Sequence, residues 1–433
     1  MLKGVHVPHR KHTANTKAVK MTVPASVTIP MSMHIGKPAT PVVKAGDEVK
    51  VGTLIGEQNG FISSPIYSSI SGKVTKISEI LLSNGAKGEA ITIESDGLMT
   101  PDPAIAPPSI NSLEEMVEAI RKSGVVGLGG AGFPTYVKLN VAPEKVSELI
   151  INGAECEPYI TSDSNTMENQ YEDMAAGIEL IARYLNINKV IIGIESNKKK
   201  SIASMKALAK LDSRISVKVL PSIYPQGGEK VLVYHTTGKV IPMGKLPIDV
   251  GCIVCNCTTV AAIGNYSKTG MPLVKKCVTV DGAAVKEPKN VIAPIGTSIS
   301  DLINFCGGLA SEPYKVLYGG PMMGISVPDM SAPILKNTNA ILALTEKEVK
   351  IPETTACIRC GSCLNTCPFG INPAGIANAL AKNDFETVES LGVNLCMECG
   401  CCSFVCPAHI PLVQKNKLAK AALKEEKSKE VQK

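Results

Sequence analysis

The sequence predicts a multidomain α/β protein with an all-β segment first, a segment of helices and strands next, and a cysteine-rich helical segment last. Three observations predict this fold class. The 433 residues are enough for about three domains of ordinary size. Near residue 112 the hydrophobic pattern changes from short alternating runs to longer helical stretches separated by strands. Two cysteine-rich runs lie close together in the last fifth of the chain.

The first segment, residues 27–95, alternates short β-like runs with turn signals, which indicates an all-β domain. Its pattern resembles the hammerhead of lipoyl and biotinyl carrier domains. Such carriers expose a modified lysine in a tight hairpin, whereas this chain has the run GFISSP at residues 60–65. We therefore expect a structural role rather than covalent carriage. A proline-rich linker at residues 101–108 ends the domain.

The next segment alternates helices and strands. Amphipathic helices are predicted over 113–124 and 166–185, and strands over 147–152 and 189–195. This alternation predicts a parallel sheet covered by helices, with ligands at the carboxyl ends of the strands. Residues 275–308 have a different pattern, a hairpin followed by a turn and a helix, which predicts a small β-grasp domain.

Fifteen cysteines in a chain without an apolar secretory signal indicate metal or redox chemistry in the cytoplasm, where disulfides are rare. Eight of them form two runs of identical spacing, C-x2-C-x2-C-x3-C-P. Bacterial two-cluster ferredoxins have this spacing, and in them the fourth cysteine of each run ligates the other cluster. Structural zinc is the alternative, but zinc requires no duplicated Cys-Pro. The crossed 4Fe-4S ligand sets are Cys357, Cys360, Cys363 and Cys406 for cluster 1, and Cys396, Cys399, Cys402 and Cys367 for cluster 2.

The remaining cysteines have no place in this spacing. Cys401 lies between two predicted ligands. Cys252, Cys255 and Cys257 suggest a third metal site, but three thiols in an apolar stretch are more often buried as small hydrophobic side chains. Between the two runs, residues 371–393 predict two short helices that hold the clusters at a fixed separation.

These patterns divide the chain into four predicted domains. They are an N-terminal β hammerhead, or barrel-sandwich, domain (1–108), a Rossmann-like domain (109–266), a β-grasp domain (267–345) and a ferredoxin-like helical domain with two 4Fe-4S clusters and a basic tail (346–433).

A glycine-rich loop at residues 127–132 contains the pattern GxGxxG, whose glycines let backbone N–H groups approach a phosphate. The loop follows a helix rather than a strand, so the usual dinucleotide fingerprint is not satisfied. Three further segments, 151–163, 224–232 and 255–264, lie in loops after predicted strands of the same domain. The carboxyl ends of these strands therefore gather four candidate binding segments.

In their order along the chain, these four segments resemble the flavin- and NADH-binding segments of the respiratory complex I flavoprotein. The whole arrangement of four domains is similar to the RnfC family of Rnf electron transport complexes, and the motif GVHVPHR at residues 4–10 resembles the opening of that family. The resemblance covers nearly the whole chain. It implies a subunit of an ion-translocating ferredoxin:NAD+ oxidoreductase that uses FMN, NAD(H) and two 4Fe-4S clusters. The SLBB type of β-grasp domain is part of the same resemblance.

The resemblance also implies roles for single residues. Lys138 would contact the flavin phosphate, Phe133 would stack on the adenine and Glu229 would bind the NAD ribose. Asn152, Glu155 and Glu157 would lie near the flavin ring and its ribityl chain. Asn256 and Thr259 would close over the phosphate end. The full set of implied cofactor-binding residues is Gly127, Gly129, Gly130, Ala131, Gly132, Phe133, Lys138, Asn152, Glu155, Glu157, Glu229, Asn256 and Thr259. No side chain is assigned a catalytic role, because the cofactors carry the chemistry.

The chain departs from the complex I pattern at two positions. Gly228 stands where those relatives carry an acid, and Tyr159 replaces a glycine. The chain also has the ferredoxin pair of clusters in place of a single four-cysteine cluster, so electrons must leave by a different route.

Charge is concentrated at the two ends of the chain. Residues 1–20 hold five basic groups and no acid, and residues 412–433 hold seven lysines against three glutamates. Basic ends can dock on an anionic membrane surface or an acidic partner protein, or they can simply be solvated. No apolar stretch reaches the length of about 18 residues that a membrane-spanning helix needs. Aromatic residues are only 4% of the chain, which argues against nucleic-acid binding by stacked side chains.

The function expected from these observations is electron exchange between NADH or NAD+ and iron–sulfur partners. The resemblance implies a peripheral subunit on the cytoplasmic side of the membrane, whose partners are the other subunits of an Rnf-type complex, including a ferredoxin-like iron–sulfur subunit. The alternatives are a soluble Rnf-like reductase, such as a cobalamin reductase or the electron carrier of proline reduction, and an electron-relay scaffold that binds no nucleotide.

Overall fold

A computed structural model describes residues 2–83, 85–349 and 352–431 of the chain. The last two residues of the basic tail therefore lie outside the described residues. A short strand, β1 (Val19–Lys20), precedes the first domain and pairs in parallel with a strand of the third domain, at Val291 and Ile292. Residues before Ser26, which the sequence analysis assigned to the hammerhead domain, thus run outside its sheets.

The first domain consists of two small antiparallel sheets. Its strands are β2 (Ser26–Pro30), β3 (Thr40–Pro41), β4 (Glu48–Val49), β5 (Leu54–Glu57), β6 (Ile66–Tyr67), β7 (Gly72–Leu81) and β8 (Lys87–Ser95). One sheet has the strand order β2-β8-β7-β4 and the other has the order β3-β5-β6. Alternate residues of the strands, such as Ile29, Ile91 and Ile93, are fully buried between the sheets. At Gly72 the strands approach so closely that a Cβ would lie 1.9 Å from the Glu94 carbonyl oxygen.

The second domain is a four-stranded parallel sheet with helices on both faces, as the alternation predicts. Its helices are α1 (Leu113–Lys122), α2 (Thr135–Leu139), α3 (Ser162–Asn169), α4 (Tyr171–Tyr184), α5 (Lys199–Ala209), α6 (Glu229–Thr237) and α7 (Cys257–Thr269), with short 3-10 helices at Pro143–Lys145 and Pro247–Val250. Its strands are β9 (Glu148–Gly153), β10 (Val190–Glu195), β11 (Ile215–Leu220) and β12 (Cys252–Asn256), in the order β11-β10-β9-β12. The glycine-rich loop follows α1, not a strand of this sheet.

The single long helix predicted over 166–185 is wrong, because α3 and α4 are separate helices that meet at Gln170. Helix α3 begins earlier than predicted, since the Glu155 carboxylate accepts hydrogen bonds from its first backbone N–H groups. The non-helical Gln170 lets α4 take a new direction and pack along α7. There Gly264 is so close to α4 that a Cβ would lie 1.9 Å from the Asp173 carbonyl oxygen.

The third domain has the hairpin and helix predicted for a β-grasp domain. Its elements are β13 (Lys275–Asp281), β14 (Lys289–Pro294), α8 (Ile299–Phe305), β15 (Lys315–Tyr318), β16 (Ile325–Ser326) and β17 (Ala340–Leu344). Together with β1 they form a sheet in the order β1-β14-β13-β17-β15-β16. Ser298 caps α8 by accepting a hydrogen bond from the Asp301 N–H.

The fourth domain is helical, and the two short helices predicted between the cysteine runs are present. Its helices are α9 (Ser362–Thr366), α10 (Pro373–Ala381), α11 (Phe385–Ser390), α12 (Cys401–Phe404) and α13 (Leu412–Val431), with a 3-10 helix at Val393–Leu395. Ile376, Val388 and Ala419 form its buried core. In the described part of the chain, no helix has both the length and the apolar character needed to cross a membrane.

Candidate functional site

The largest candidate site is a cavity of about 640 Å³ at the carboxyl ends of β9, β11 and β12, which we call the main cavity. This is the edge at which open parallel sheets bind ligands. All four domains contribute to its lining, from Ser83 of the hammerhead to Met397 of the ferredoxin-like domain. Its volume is in the range of cofactor sites.

The glycine-rich loop forms one side of the main cavity. Gly129, Gly130 and Ala131 line it. A Cβ on Gly129 would lie 2.3 Å from Asn256 Nδ2, whereas a Cβ on Gly130 would have no neighbour within 4 Å. The predicted residues Gly127 and Phe133 are not in the lining, and the Gly127 N–H donates to the Phe133 carbonyl oxygen at 2.9 Å.

Two other predicted features hold this loop in place. The Thr259 hydroxyl, which does not line the cavity, accepts a 2.9 Å hydrogen bond from the Leu128 N–H. The Ile35 N–H of the hammerhead domain donates to the Gly132 carbonyl oxygen at 3.1 Å. From the run that replaces the carrier lysine, the Phe61 carbonyl oxygen accepts a hydrogen bond from the Tyr136 hydroxyl. The hammerhead therefore supports the glycine-rich loop.

Two asparagines on adjacent strands line the floor of the main cavity. The Asn152 side chain donates to the Gly227 carbonyl oxygen at 2.9 Å and accepts from the Ala154 N–H at 3.1 Å. Asn256 caps α7 by accepting hydrogen bonds from the N–H groups of Thr258 and Thr259. These bonds fix both side chains at the edge of the sheet.

Glu155 lines the main cavity, but its carboxylate is engaged by the protein. It accepts hydrogen bonds from the Asp163 N–H at 2.7 Å and from the Ser164 hydroxyl at 2.8 Å. Burial raises the pKa of Glu155, and the nearby Asp163 carboxylate adds to the effect. Its backbone carbonyl accepts from the ammonium groups of Lys11 and Lys198, both at 2.9 Å.

Glu157 attaches a loop of the β-grasp domain to the main cavity. Its carboxylate accepts hydrogen bonds from the backbone N–H groups of Met322 at 3.0 Å and Met323 at 2.8 Å. Burial raises the pKa of Glu157 to about 7, against the opposing effect of these two bonds. Glu157 therefore positions the loop 319–324, whose residues Gly320 and Met323 also line the cavity.

Lys138 and Glu229, predicted to contact the flavin phosphate and the NAD ribose, form an ion pair of 3.0 Å. Glu229 lines the cavity and Lys138 stands behind it, where it also donates to the Val254 carbonyl oxygen at 2.9 Å. Burial lowers the pKa of Lys138, but the Glu229 carboxylate offsets this, and the net shift is upward. The structure therefore places both residues at the site while pairing them with each other.

Tyr159 shows why relatives can carry glycine at this position, because its φ of +68° lies in the left-handed region. Its side chain points away from the main cavity. The hydroxyl accepts from Arg10 at 2.7 Å and donates to Glu348 at 2.9 Å, and the backbone N–H donates to the His9 carbonyl oxygen. Tyr159 thus ties the N-terminal segment to the β-grasp end of the chain.

A second, smaller cavity lies in the ferredoxin-like domain, and we call it the cluster-2 cavity. Its lining includes all four cysteines predicted to ligate cluster 2: Cys367, Cys396, Cys399 and Cys402. The Asn416 side-chain amide of α13 donates to the Cys396 sulfur at 3.7 Å. Four thiols around one cavity match the donor set of a 4Fe-4S cluster, so the residues present fit this group.

The cysteines predicted for cluster 1 lie nearer the surface. Cys363 and Cys406, one from each run, pack in one cluster of side chains, and Cys357 and Cys360 are exposed. Cys401 is buried, and its thiol lies 3.8 Å from the Tyr224 carbonyl oxygen. Cys252 is in one apolar core of the Rossmann-like domain, whereas Cys255 and Cys257 are in another.

Sequence reasoning missed several residues that line the main cavity. They are chiefly Asp163, Tyr224, Met323, Asn337 and Met397. The glycine-rich run GGPMMG at 319–324 was the available signal for the β-grasp contribution. The basic N-terminal segment was also misjudged in part, because Lys11 turns inward and donates to the Glu157 carbonyl oxygen at 2.7 Å.

Four family models match successive parts of the chain. Their descriptions are the RnfC barrel sandwich hybrid domain at residues 1–98, the Nuo51 FMN-binding domain at 120–265, the SLBB domain at 277–326 and a 4Fe-4S dicluster domain at 356–411. These matches confirm the predicted fold class.

Curated relatives, all RnfC-type components of ion-translocating complexes, are similar over most of their length. The chain is 43% identical over 394 residues to the relative from the Na+-translocating ferredoxin:NAD+ oxidoreductase complex of Acetobacterium woodii, and the match covers 89% of this chain and 88% of that protein. It is 42% identical to the relative from the proton-translocating complex of Clostridium ljungdahlii, covering 89% and 85%. It is 38% identical to the relative from the ion-translocating oxidoreductase complex of Rhodobacter capsulatus, covering 99% and 84%.

Among solved structures, an NAD+-reducing nickel–iron hydrogenase in the air-oxidised state is similar in fold. The TM-score is 0.51 at 18% identity, and the match covers 73% of this chain and 63% of that chain.

Proposed function

The chain belongs to the RnfC family, and from that premise we propose that it is the peripheral subunit through which an Rnf-type membrane complex exchanges electrons with NADH or NAD+. It is an oxidoreductase subunit that uses FMN and two 4Fe-4S clusters, while partner subunits couple the reaction to ion translocation. The main cavity next to the cysteine-lined cluster-2 cavity is the observation that carries this proposal.

In this proposal the protein binds and orients its cofactors and supplies no acid or nucleophile. When bound, a flavin joins the two-electron chemistry of nicotinamide to the one-electron chemistry of iron–sulfur clusters. Gly129, Gly130 and Ala131 offer backbone to the phosphate end, since a glycine leaves space for close approach. Asn152 and Asn256 present fixed polar groups from the ends of the strands.

The N-terminus of α7 also faces the main cavity, and Asn256 and Asp163 are bonded to each other there at 2.7 Å. The other predicted contacts act from behind the lining. Lys138 places positive charge beside Glu229, and Thr259 and Gly132 fix the glycine-rich loop. Phe133 keeps its predicted role on the adenine, and Gly127 its place at the start of the loop. The crossed cysteine sets are the proposed ligands of the two clusters.

The complex places the chain at a membrane. We propose that it attaches to the cytoplasmic side through partner subunits, one of which is a ferredoxin-like iron–sulfur protein that receives electrons at cluster 1. The exposed Cys357 and Cys360 support this, because a cluster held there lies close to the surface. Arg10 and Lys11 bind within the chain, so the basic groups left for docking are mainly those of α13.

The proposal is tested by anaerobic purification with iron, sulfide and flavin analysis, followed by titration with NADH. We expect about eight irons per chain, FMN at about one per chain, and absorbance loss at both flavin and clusters on adding NADH. Iron without flavin, and no response to NADH, would contradict the proposal and leave an electron-relay scaffold.

A single variant separates the cavity from the fold. A Cβ at Gly130 would have no neighbour within 4 Å, so Gly130→Leu places a side chain in the main cavity without a clash. We expect this variant to keep its iron and lose its flavin. Equal flavin content in the variant and the parent protein would place the flavin elsewhere.

A further inference from the structure

The main cavity and the cluster-2 cavity share one lining residue. Met397, which stands between the predicted ligands Cys396 and Cys399, lines both cavities. No other residue in the described part of the chain does so. The Met397 side chain therefore lies between the proposed flavin site and the proposed cluster 2.

The Rossmann-like domain leaves room for this side chain at Gly228. A Cβ built on Gly228 would lie 2.2 Å from the Cε of Met397 and 3.3 Å from its sulfur. Any side chain at position 228 must therefore displace Met397. The acid that complex I relatives carry at this position has no space here, and the departure seen in the sequence is the counterpart of Met397.

Two more contacts hold the segment that carries Met397. The buried Tyr224 donates a 2.7 Å hydrogen bond from its hydroxyl to the Cys399 carbonyl oxygen. On the other side, a Cβ on Gly400 would lie 2.9 Å from the Met322 carbonyl oxygen of the β-grasp domain. The segment is thus held between two domains, and moving it would break a buried hydrogen bond.

We propose that Met397 is a positioning residue for electron transfer: its packing on Gly228 holds cluster 2 at the main cavity and makes cluster 2 the first iron–sulfur acceptor. This inference rests on the proposed function. One hydride from NADH supplies two electrons, one to each cluster, and NAD+ and a proton are released to solvent.

The exposure of the cysteines agrees with this order. Cys367, Cys399 and Cys402 of cluster 2 are buried, whereas Cys357 and Cys360 of cluster 1 are exposed. Electrons that enter at the buried cluster leave from the one that a partner protein can reach. Met397 is where the first of these two transfers is set.

The test uses the full chain with its cofactors and follows flavin and cluster absorbance separately by stopped flow after mixing with NADH. The variants are Met397→Ala, which removes the contact, Met397→Leu, which keeps most of its volume, and Gly228→Ala, which displaces the side chain from outside the cluster segment. The matched control is Met243→Ala, because Met243 is an exposed methionine on a distant loop. Redox titration of the clusters and their iron content accompany each variant.

We expect Met397→Ala and Gly228→Ala to leave flavin reduction by NADH unchanged and to slow cluster reduction by about ten-fold or more, because small misplacements of reacting groups have large effects on rate. Met397→Leu should restore most of the rate, and Met243→Ala should match the parent protein. NADH oxidation with ferricyanide, which takes electrons from the flavin directly, should not change.

Cluster reduction at the parent rate in both Met397→Ala and Gly228→Ala would overturn the inference. A changed cluster potential in Gly228→Ala would also overturn it, since the residue would then act on the cluster rather than on its position. If Met397→Ala loses iron, Gly228→Ala decides. Failure of the proposed function looks different, because the parent protein itself would then show no flavin phase with NADH.

Discussion

At the scale of single residues, Lys336 is buried at the junction of three domains. Its ammonium donates to the Ser64 hydroxyl and the Pro65 carbonyl of the hammerhead at 3.1 and 2.7 Å, and to the Gly124 carbonyl of the Rossmann-like domain at 2.8 Å. Lys336 itself belongs to the β-grasp domain. Three acceptors satisfy the group, but burial lowers its pKa to about 7. One side chain thus joins three domains and titrates near neutrality.

We predict that Lys336 makes stability rise with pH above neutrality. An unfolded chain keeps a lysine pKa of about 10.4, so above pH 7 the unfolded state binds more protons than the folded state. From this group alone the free energy of unfolding rises by at most about 1.4 kcal/mol per pH unit between these two pKa values. Thermal unfolding midpoints at pH 7 and pH 9 check this. The rise should be smaller in Lys336→Met, and equal pH dependence in both proteins would contradict it.

Asn256 provides a second prediction at this scale. Its side-chain oxygen caps α7, and its amide nitrogen donates to Asp163 at 2.7 Å. Ser and Asp normally replace Asn well as helix caps. Here Asn256→Asp would place a second carboxylate against Asp163, so we expect it to be less stable than Asn256→Ser by about 1 kcal/mol or more.

Thermal unfolding of the two Asn256 variants at pH 7 measures this difference. The order should reverse or vanish in the background of Asp163→Asn, which removes the repulsion. An Asn256→Asp variant as stable as Asn256→Ser would show that Asp163 is not ionised beside it.

The sequence locates these residues better than it assigns their partners. Glu155 and Glu157 lie at the main cavity as predicted, but backbone N–H groups engage their carboxylates. In the case of Glu157 the donors are Met322 and Met323, about 165 residues away in another domain. No local pattern in the sequence carries such a pairing, because it depends on how two domains pack.

At the scale of elements, the N-terminal segment acts as a strap across the other domains. Val5 pairs with Tyr224 of the Rossmann-like domain, and the Thr366 hydroxyl of the ferredoxin-like domain donates to the Gly4 carbonyl oxygen at 3.1 Å. His12 contacts the buried Asp281 of the β-grasp domain at 3.0 Å. The segment thus connects three domains without forming a domain itself.

Lys11 is the residue through which this strap reaches the main cavity, and we predict that Lys11→Met weakens flavin binding. Its ammonium donates to the carbonyl oxygens of Glu155, Glu157 and Ile160, which order the loop after β9. Losing these bonds should cost about 2 kcal/mol or more, since the donor is charged. Flavin retained after gel filtration and the unfolding midpoint measure the effect.

The matched control is Lys3→Met, because Lys3 is an exposed lysine of the same segment. Unchanged flavin content and midpoint in Lys11→Met would show that the loop orders itself. Burial and the neighbouring Lys198 lower the pKa of Lys11, so raising the pH should move the parent protein toward the behaviour of the variant.

Periodicity in the sequence identified most elements, because burial on one face leaves a repeating pattern. It failed at α3, where Ser162, Asp163 and Thr166 are buried polar residues beside the cavity. A helix whose buried face is polar has no apolar stripe, so its start is invisible to the pattern. It failed again at β1, whose two residues pair with β14 far along the chain.

At the scale of the whole molecule, the four domain types could be predicted from motifs, whereas their arrangement could not. The boundaries drawn between them stay predictions. The shared wall at Met397 and the three-domain contact of Lys336 depend on docking surfaces that carry no motif. The cysteine spacing, in contrast, already contained the cross-connection between the two runs.

We predict that iron content after paired cysteine substitutions will distinguish crossed from uncrossed ligand sets. Cys406→Ser with Cys357→Ser removes two ligands of cluster 1 in the crossed arrangement, so about four of about eight irons should remain. Cys406→Ser with Cys396→Ser affects both clusters and should lose nearly all iron. The uncrossed arrangement predicts the reverse result for the two pairs.

Cys401→Ser is the control for these measurements, because Cys401 is buried beside the ligands but contacts the Tyr224 carbonyl oxygen instead. It should keep its full iron content. Iron loss in this variant would mean that Cys401 takes part in ligation.

The pairing of β1 with β14 has a consequence for biosynthesis. Val19 emerges from the ribosome early, but its partner Val291 is made 272 residues later, and Met397 later still. At roughly 5–20 residues per second, the first strand waits on the order of tens of seconds for its neighbour. The cofactor pocket therefore closes only when translation is nearly complete. A truncated or stalled chain has an open pocket, so cofactor loading itself reports that the protein has been made to its end.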